Sequence, residues 1–181
     1  MVSISIDTAE FREYHINVYN SNGKKTQTFS NINYEAEMEG DFRLKDINFD
    51  SYDDLLIKVN DDPFNNCFEF WVFDPDSEKY TYDSLFSDII SCNPSFVKEL
   101  KTINTSISDG YTWSFWNKTY YYDDGNLLLI EEESQERYEL IDSTNYEFNY
   151  RRIKRVRQGD KMVTIEEVIG TLEEVDERMI K

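Results

Sequence analysis

Leu55-Leu56-Ile57-Lys58-Val59 and Cys67-Phe68-Glu69-Phe70-Trp71-Val72-Phe73 decide the fold of this chain. Between them lies Asn60-Asp61-Asp62-Pro63-Phe64-Asn65-Asn66, a segment of Asn, Asp and Pro. Asn and Asp side chains bond their own backbone and Pro fixes φ, so such a segment turns the chain. The flanking runs are aliphatic, β-branched and aromatic, the composition of strands on a half-buried pleated surface. The two runs therefore read as paired strands.

The same grammar extends both ways. Upstream, Phe11 to Tyr19 alternate, with Tyr14, Ile16 and Val18 on one face and His15 on the other. Asn20-Ser21-Asn22-Gly23-Lys24 then supplies an Asn-Gly turn before Thr26, Thr28 and Phe29, a hairpin signal because both residues tolerate positive φ. Residues 32–45 alternate again. Downstream, Asp74-Pro75-Asp76-Ser77 marks a turn, and residues 83–101 hold one or two short helices, with Asn93 capping a start at Pro94. Strands over Tyr111–Tyr122 and Leu127–Glu133 flank Asp123-Asp124-Gly125-Asn126. Two more, Phe148–Val156 and Met162–Val168, flank Gln158-Gly159-Asp160. Leu172, Val175 and Met179 fall at helical spacing in the tail from Gly170 to Lys181. The expectation is a mainly β chain, residues 1–181 forming a single antiparallel β-sandwich or barrel-like domain with one or two short helices.

Composition bounds the function. The 181 residues include 19 basic and 37 acidic ones, a formal net charge of −18, which argues against nucleic acid and anionic membrane as partners. Twelve Phe, 13 Tyr and three Trp supply a core despite few aliphatics, and exclude a disordered chain. No apolar run approaches the roughly 20 residues of a membrane span. The sequence begins Met1-Val2-Ser3 with no secretory signal pattern, which is read as cytoplasmic as written, or periplasmic if this is a processed mature form. Cys67 and Cys92 are equally compatible with one disulfide and with two small buried side chains.

Catalysis is not expected. His15 is the only histidine and reads as a partly exposed strand residue, and no glycine-rich phosphate loop is present. Among 37 acids no glycosidase pair stands out, and Glu131-Glu132-Glu133 reads as a solvated strand face. Arg151-Arg152-Ile153-Lys154-Arg155-Val156-Arg157 opposes the global charge; it reads as an outer strand whose cations pair with acidic neighbours, against the sharper reading of a contact patch for an acidic partner. Tyr120, Tyr121 and Tyr122 beside Trp113 and Trp116 read either as alternating core and surface positions or as binding hot spots.

One motif carries chemistry. In Asp46-Ile47-Asn48-Phe49-Asp50-Ser51-Tyr52-Asp53-Asp54-Leu55, side-chain oxygens fall at positions 1, 3, 5 and 9, and the Tyr52 carbonyl would serve position 7. Calcium takes six to eight oxygens, and a loop with donors at alternate positions curls around it. An Asx-rich turn that satisfies its own amides has the same composition, so spacing alone leaves both readings open.

The chain also resembles a bacterial β-rich family of calcium-binding periplasmic lysozyme inhibitors, immunity proteins of the Xanthomonas type IV secretion kind. The shared anchors run in order over roughly residues 11–168. They are Gln27 after the hairpin, the Asp loop, Phe70-Trp71-Val72-Phe73-Asp74, Asn93-Pro94-Ser95-Phe96, and Gly125-Asn126-Leu127-Leu128-Leu129-Ile130-Glu131-Glu132. Ser51 stands where the family pattern has Gly. The resemblance implies a calcium site formed by Asp46, Asn48, Asp50, Tyr52 through its carbonyl, and Asp54. It further implies a non-catalytic inhibitor that docks on a basic toxin or effector, a muramidase in the first instance. The alternatives are an immunity protein against an intracellular toxin such as a nuclease, or a calcium-stabilised structural or surface module.

Overall fold

Asn20 folds the first hairpin: its Oδ1 accepts the amides of Asn22 and Lys24, each at 3.0 Å, while Gly23 takes φ +72°. That turn joins β2 (Glu13–Tyr19) to β3 (Lys25–Asn33), and β1 (Ser3–Thr8) pairs on the far side of β2. The computed structural model describes residues 3–8, 13–20, 22–33, 42–60, 62–90, 92–142 and 147–179. Phe11 and the middle of the 32–45 stretch lie outside the described residues. The fold is mainly β, 62% strand, with three antiparallel sheets, two short helices and no closed barrel among the described residues. Contacts divide the chain into two compact units, Met1–Ser91 and Cys92–Lys181.

In the first unit a second sheet follows the hairpin, in the order β4 (Phe42–Lys45), β5 (Asp54–Lys58), β6 (Phe68–Asp74) and β7 (Lys79–Tyr82). The two sheets share one core: Ile16, Val18 and Phe29 meet Leu55, Ile57 and Tyr80, with Trp71 and Phe73 packed against them. The unbroken apolar run Leu55-Leu56-Ile57 is buried throughout, as a strand covered on both faces requires. The Asn-rich turn between β5 and β6 is self-satisfied. Asn60 Oδ1 accepts the Cys67 amide, and Asp62 Oδ1 accepts those of Phe64 and Asn65. Asn17 departs from simple alternation; it is buried, and its Oδ1 accepts the Thr28 hydroxyl at 2.8 Å. Helix α1 (Ser84–Ile89) is capped by Asp83, whose carboxylate accepts the Phe86 amide.

The second unit is one six-stranded sheet, in the order β13-β12-β11-β10-β9-β8. Its strands are β8 (Ser95–Val97), β9 (Thr102–Ser108), β10 (Phe115–Asp123), β11 (Asn126–Asp142), β12 (Glu147–Gln158) and β13 (Lys161–Gly170). The cap expected at Asn93 does not form. Asn93 sits at φ +46°, its amide donates to the Ser106 carbonyl, and Ser95 to Val97 extend as β8 against β9, with one 3-10 turn at Lys98–Leu100. The tail forms α2 (Leu172–Met179) as its spacing predicts, and Val175 is buried with Tyr150 and Val168.

One side chain ties the sheets of the first unit at the backbone level. Gln27 on β3 donates through Nε2 to the Tyr80 carbonyl at 2.7 Å, and its Oε1 accepts the Tyr80 amide at 2.8 Å. Gln27→Leu keeps the bulk and strands both main-chain groups. The expected loss is about 2–3 kcal/mol of unfolding free energy, read by urea denaturation. A loss within error of zero would show that water replaces the amide.

Candidate functional site

The Asp loop closes by bonding its own amides. Asp46 Oδ2 accepts the Ser51 amide, Asn48 Oδ1 that of Asp50, and Asp50 Oδ1 that of Tyr52, at 3.1, 3.2 and 2.8 Å. The Asn48 side-chain amide donates to Asp50 Oδ2 at 2.9 Å. Asp54 is fully buried, and its two oxygens accept the amides of Ile47 at 2.9 Å and Phe73 at 2.8 Å, bracing the loop to β6. Burial raises its pKa from 3.8 to about 6, opposed by those two amides and reinforced by the charges of Asp50 and Asp46. Phe49 and Ser51 both take positive φ, +63° and +77°, so the turn demands the left-handed backbone at the position where Ser replaces Gly.

All five sequence-predicted donors therefore belong to one loop, and their oxygens suit a hard cation. Among the described residues no three His, Cys, Asp or Glu side chains form a ready metal cluster, so a cation here would rely on the Asn48 amide oxygen and the Tyr52 carbonyl as well. A carboxylate offers about four lone-pair sites. Asp54 thus has acceptor capacity beyond its two amide bonds.

Beside this loop lies a groove of about 520 Å³ in the first unit. Three rings run along it, Tyr52–Phe73 at 5.9 Å between centroids and Phe73–Tyr80 at 5.1 Å. The Tyr80 hydroxyl donates to the Asp53 carbonyl at 3.2 Å; burial, then Asp54 and Asp53, push its pKa to about 12, so the phenol stays protonated. Asp53 and Glu78 stand exposed on the lining, and no Lys or Arg lines it.

In the second unit the β9–β10 connection presents aromatics. Tyr111 is 79% exposed and Trp113 66%, on a loop held by Asp109 Oδ1 accepting the Thr112 amide and by the Gln135 side chain donating to the Trp113 carbonyl. Trp113 takes φ +59°. A strand over Tyr111–Tyr122 was the expectation. The strand starts at Phe115 because Asp109, Gly110 and the left-handed Trp113 end the pleat. Tyr120 is buried and Tyr121 exposed, alternating as strand faces do. Trp116 is exposed.

The basic run lies on β12, which is central rather than outer, flanked by β11 and β13. Its cations are matched by the acidic run on β11: Lys154 with Glu131 at 3.2 Å, Arg155 with Glu132 at 3.1 Å and Arg152 with Glu133 at 2.8 Å. Arg152 also reaches Asp176 on α2, and Arg151 pairs with Glu167 on β13. His15 is half-buried on β2. Neither cysteine is a free thiol; Cys67 and Cys92 are both disulfide-bonded.

A solved structure of a "Xanthomonas Type IV Secretion System related protein" is similar to this chain, with a TM-score of 0.58 and 15% sequence identity over 91% of this chain and 88% of that one. At that identity the likeness is one of fold. No family model matches the sequence, and neither does any curated protein.

Two outcomes test the loop. At position 51 the stability order should be Gly at or above Ser, with Val lower by about 1–2 kcal/mol, since a β-branched residue resists positive φ; a Val variant as stable as wild type would contradict the backbone conformation. Asp54 titrates at about 6 folded against 3.8 unfolded, so between those values the folded state holds the extra proton. In chelator, stability measured against Asp54→Asn is therefore full below pH 3.8 and falls as pH rises through 6; a rising difference would show the opposite shift.

Proposed function

We propose that this protein is a non-catalytic, stoichiometric inhibitor of immunity type, which neutralises a toxin or effector by binding it, a lysozyme-like peptidoglycan hydrolase being the target. The observation that carries the reading is the braced loop with Tyr111 and Trp113 exposed. Aromatic side chains on a rigid backbone bury large area at small entropic cost when a partner covers them. Three further facts support it: the fold shared with a type IV secretion system related protein, the charge of −18, and the oxidised cysteines. An acidic surface accelerates association with a basic partner. Disulfides persist in oxidising compartments, which favours a peptidoglycan hydrolase over an intracellular toxin. In this reading Asp46, Asn48, Asp50, the Tyr52 carbonyl and Asp54 hold calcium, which neutralises crowded carboxylates and fixes the loop.

The braced Asp loop also favours a second reading, a calcium-stabilised structural or surface module with no toxin partner. One assay separates them: peptidoglycan lysis by a panel of basic lysozyme-type muramidases, titrated with this protein in calcium and in chelator. Saturable inhibition near equimolar, weaker in chelator, is expected. Trp113→Ala and Tyr111→Ala should each weaken it by about tenfold or more. The unfolding midpoint of Trp113→Ala should not move, because the loop is braced through the Trp113 carbonyl and not its ring. No inhibition at micromolar protein, with a calcium-dependent unfolding midpoint, would leave the structural module standing instead.

A further inference from the structure

The inhibitor reading supplies a protein partner; the groove in the first unit indicates which side chain of that partner it takes. We propose that the groove between the Asp loop and the β6–β7 turn receives an Arg or Lys side chain from a basic segment of the partner. Of the three rings on the lining, Tyr52 is exposed and Phe73 half-buried, with buried Tyr80 behind them, and a cation over an accessible ring face is attracted by the ring quadrupole. Asp53 and Glu78 flank those rings, and neither forms an ion pair with any described residue. The contrast with the second unit is direct: there the acids of β11 are matched by Arg152, Lys154 and Arg155. By count the first unit holds nineteen acidic residues against seven basic, so the groove opens in the more acidic unit.

The β6–β7 turn is built to hold its acid in place. Asp74 accepts the Asp76 amide and the Ser77 hydroxyl, and Glu78 follows at φ +52°, a conformation that a non-glycine residue adopts only when its surroundings impose it. A neutral ligand would gain little from two unpaired carboxylates beside aromatic rings. A guanidinium or ammonium uses both features together.

The test uses the whole chain and two blocked tripeptides, N-acetyl-Gly-Arg-Gly-amide and its Gln counterpart, followed by amide shifts in heteronuclear NMR. The Arg peptide should shift residues 51–53 and 73–80 saturably, and should bind about tenfold more weakly in the Asp53→Asn, Glu78→Gln double variant. Glu78→Gly relieves the positive φ, so it should fold at least as well and still bind more weakly. That variant separates a lost contact from a lost fold. Equal shifts by the Arg and Gln peptides, or full binding by the double variant, would overturn the proposal. Muramidase inhibition by the same variants keeps the two readings apart. Wild-type inhibition retained in full by the double variant overturns the groove and leaves the inhibitor. Arg-specific peptide binding without inhibition of any muramidase supports the groove and removes that target.

Discussion

Gln27 is the constraint on which the first unit depends. Two sheets that pack face to face through apolar side chains can slide, because the hydrophobic effect is non-directional. The Gln27 amide removes that freedom by imitating a neighbouring strand for Tyr80 alone, taking its amide and giving to its carbonyl. With Tyr80 fixed, its ring packs on Phe73 and its hydroxyl reaches the Asp53 carbonyl, which pins the end of the Asp loop. The groove is a consequence of that sequence of contacts. Its rings and rim come from segments as far apart as residues 20 and 80 and are registered through one side chain.

The two units handle charge differently. In the second, like charges run along β11 and along β12, and pairing those strands antiparallel sets Glu131, Glu132 and Glu133 against Lys154, Arg155 and Arg152. Partly buried pairs of this kind set register more than they add stability, since a strand slipped by one residue would place its cations on the wrong faces. In the first unit the acids cluster in turns, where they serve as acceptors for backbone amides. Asp62 and Asp74 illustrate this, both held below the usual carboxylate range chiefly by the side chains of Asn65 and Ser77. These hydrogen-bonded surface carboxylates keep their charge, unlike the buried Asp54. Net negative charge therefore remains available to a partner in the first unit after the fold has used those groups.

Much of the fold was legible from sequence because turn chemistry is local. Asn20 with Gly23, the Asn60–Asn66 segment, Asp124-Gly125 and Gly159 each mark a connection that the structure makes, and Val175 lies buried where helical spacing put it. Misreadings fell where a local signal had two outcomes. Asn93 before Pro94 has the composition of a helix cap, but Asn also favours the left-handed backbone, and strand pairing with β9 decided between them. Tyr111 and Trp113 have strand propensity, and the left-handed conformations at Gly110 and Trp113 remove them from the pleat. The Asp loop was legible as a loop with alternating donors. The bracing role of Asp54 was not, because Phe73 is nineteen residues away. The groove had no sequence signal at all.

The loop and the groove also constrain each other, since Ser51, Tyr52 and Asp53 belong to both. A cation bound among Asp46, Asn48 and Asp50 would have two opposed effects on a positively charged side chain arriving next door. It would cancel part of the local negative field, and it would hold Tyr52 and Asp53 in place. At physiological ionic strength the field term is screened over about 8 Å, whereas the ordering term acts through the backbone and is not screened. The amides accepted by Asp46, Asn48, Asp50 and Asp54 set the path of the loop but crowd its carboxylates together, so the ion's ordering effect is to remove the repulsion that works against that path. Pre-organisation of Tyr52 and Asp53 is then the larger effect, and calcium and a basic partner would favour each other although both are cations.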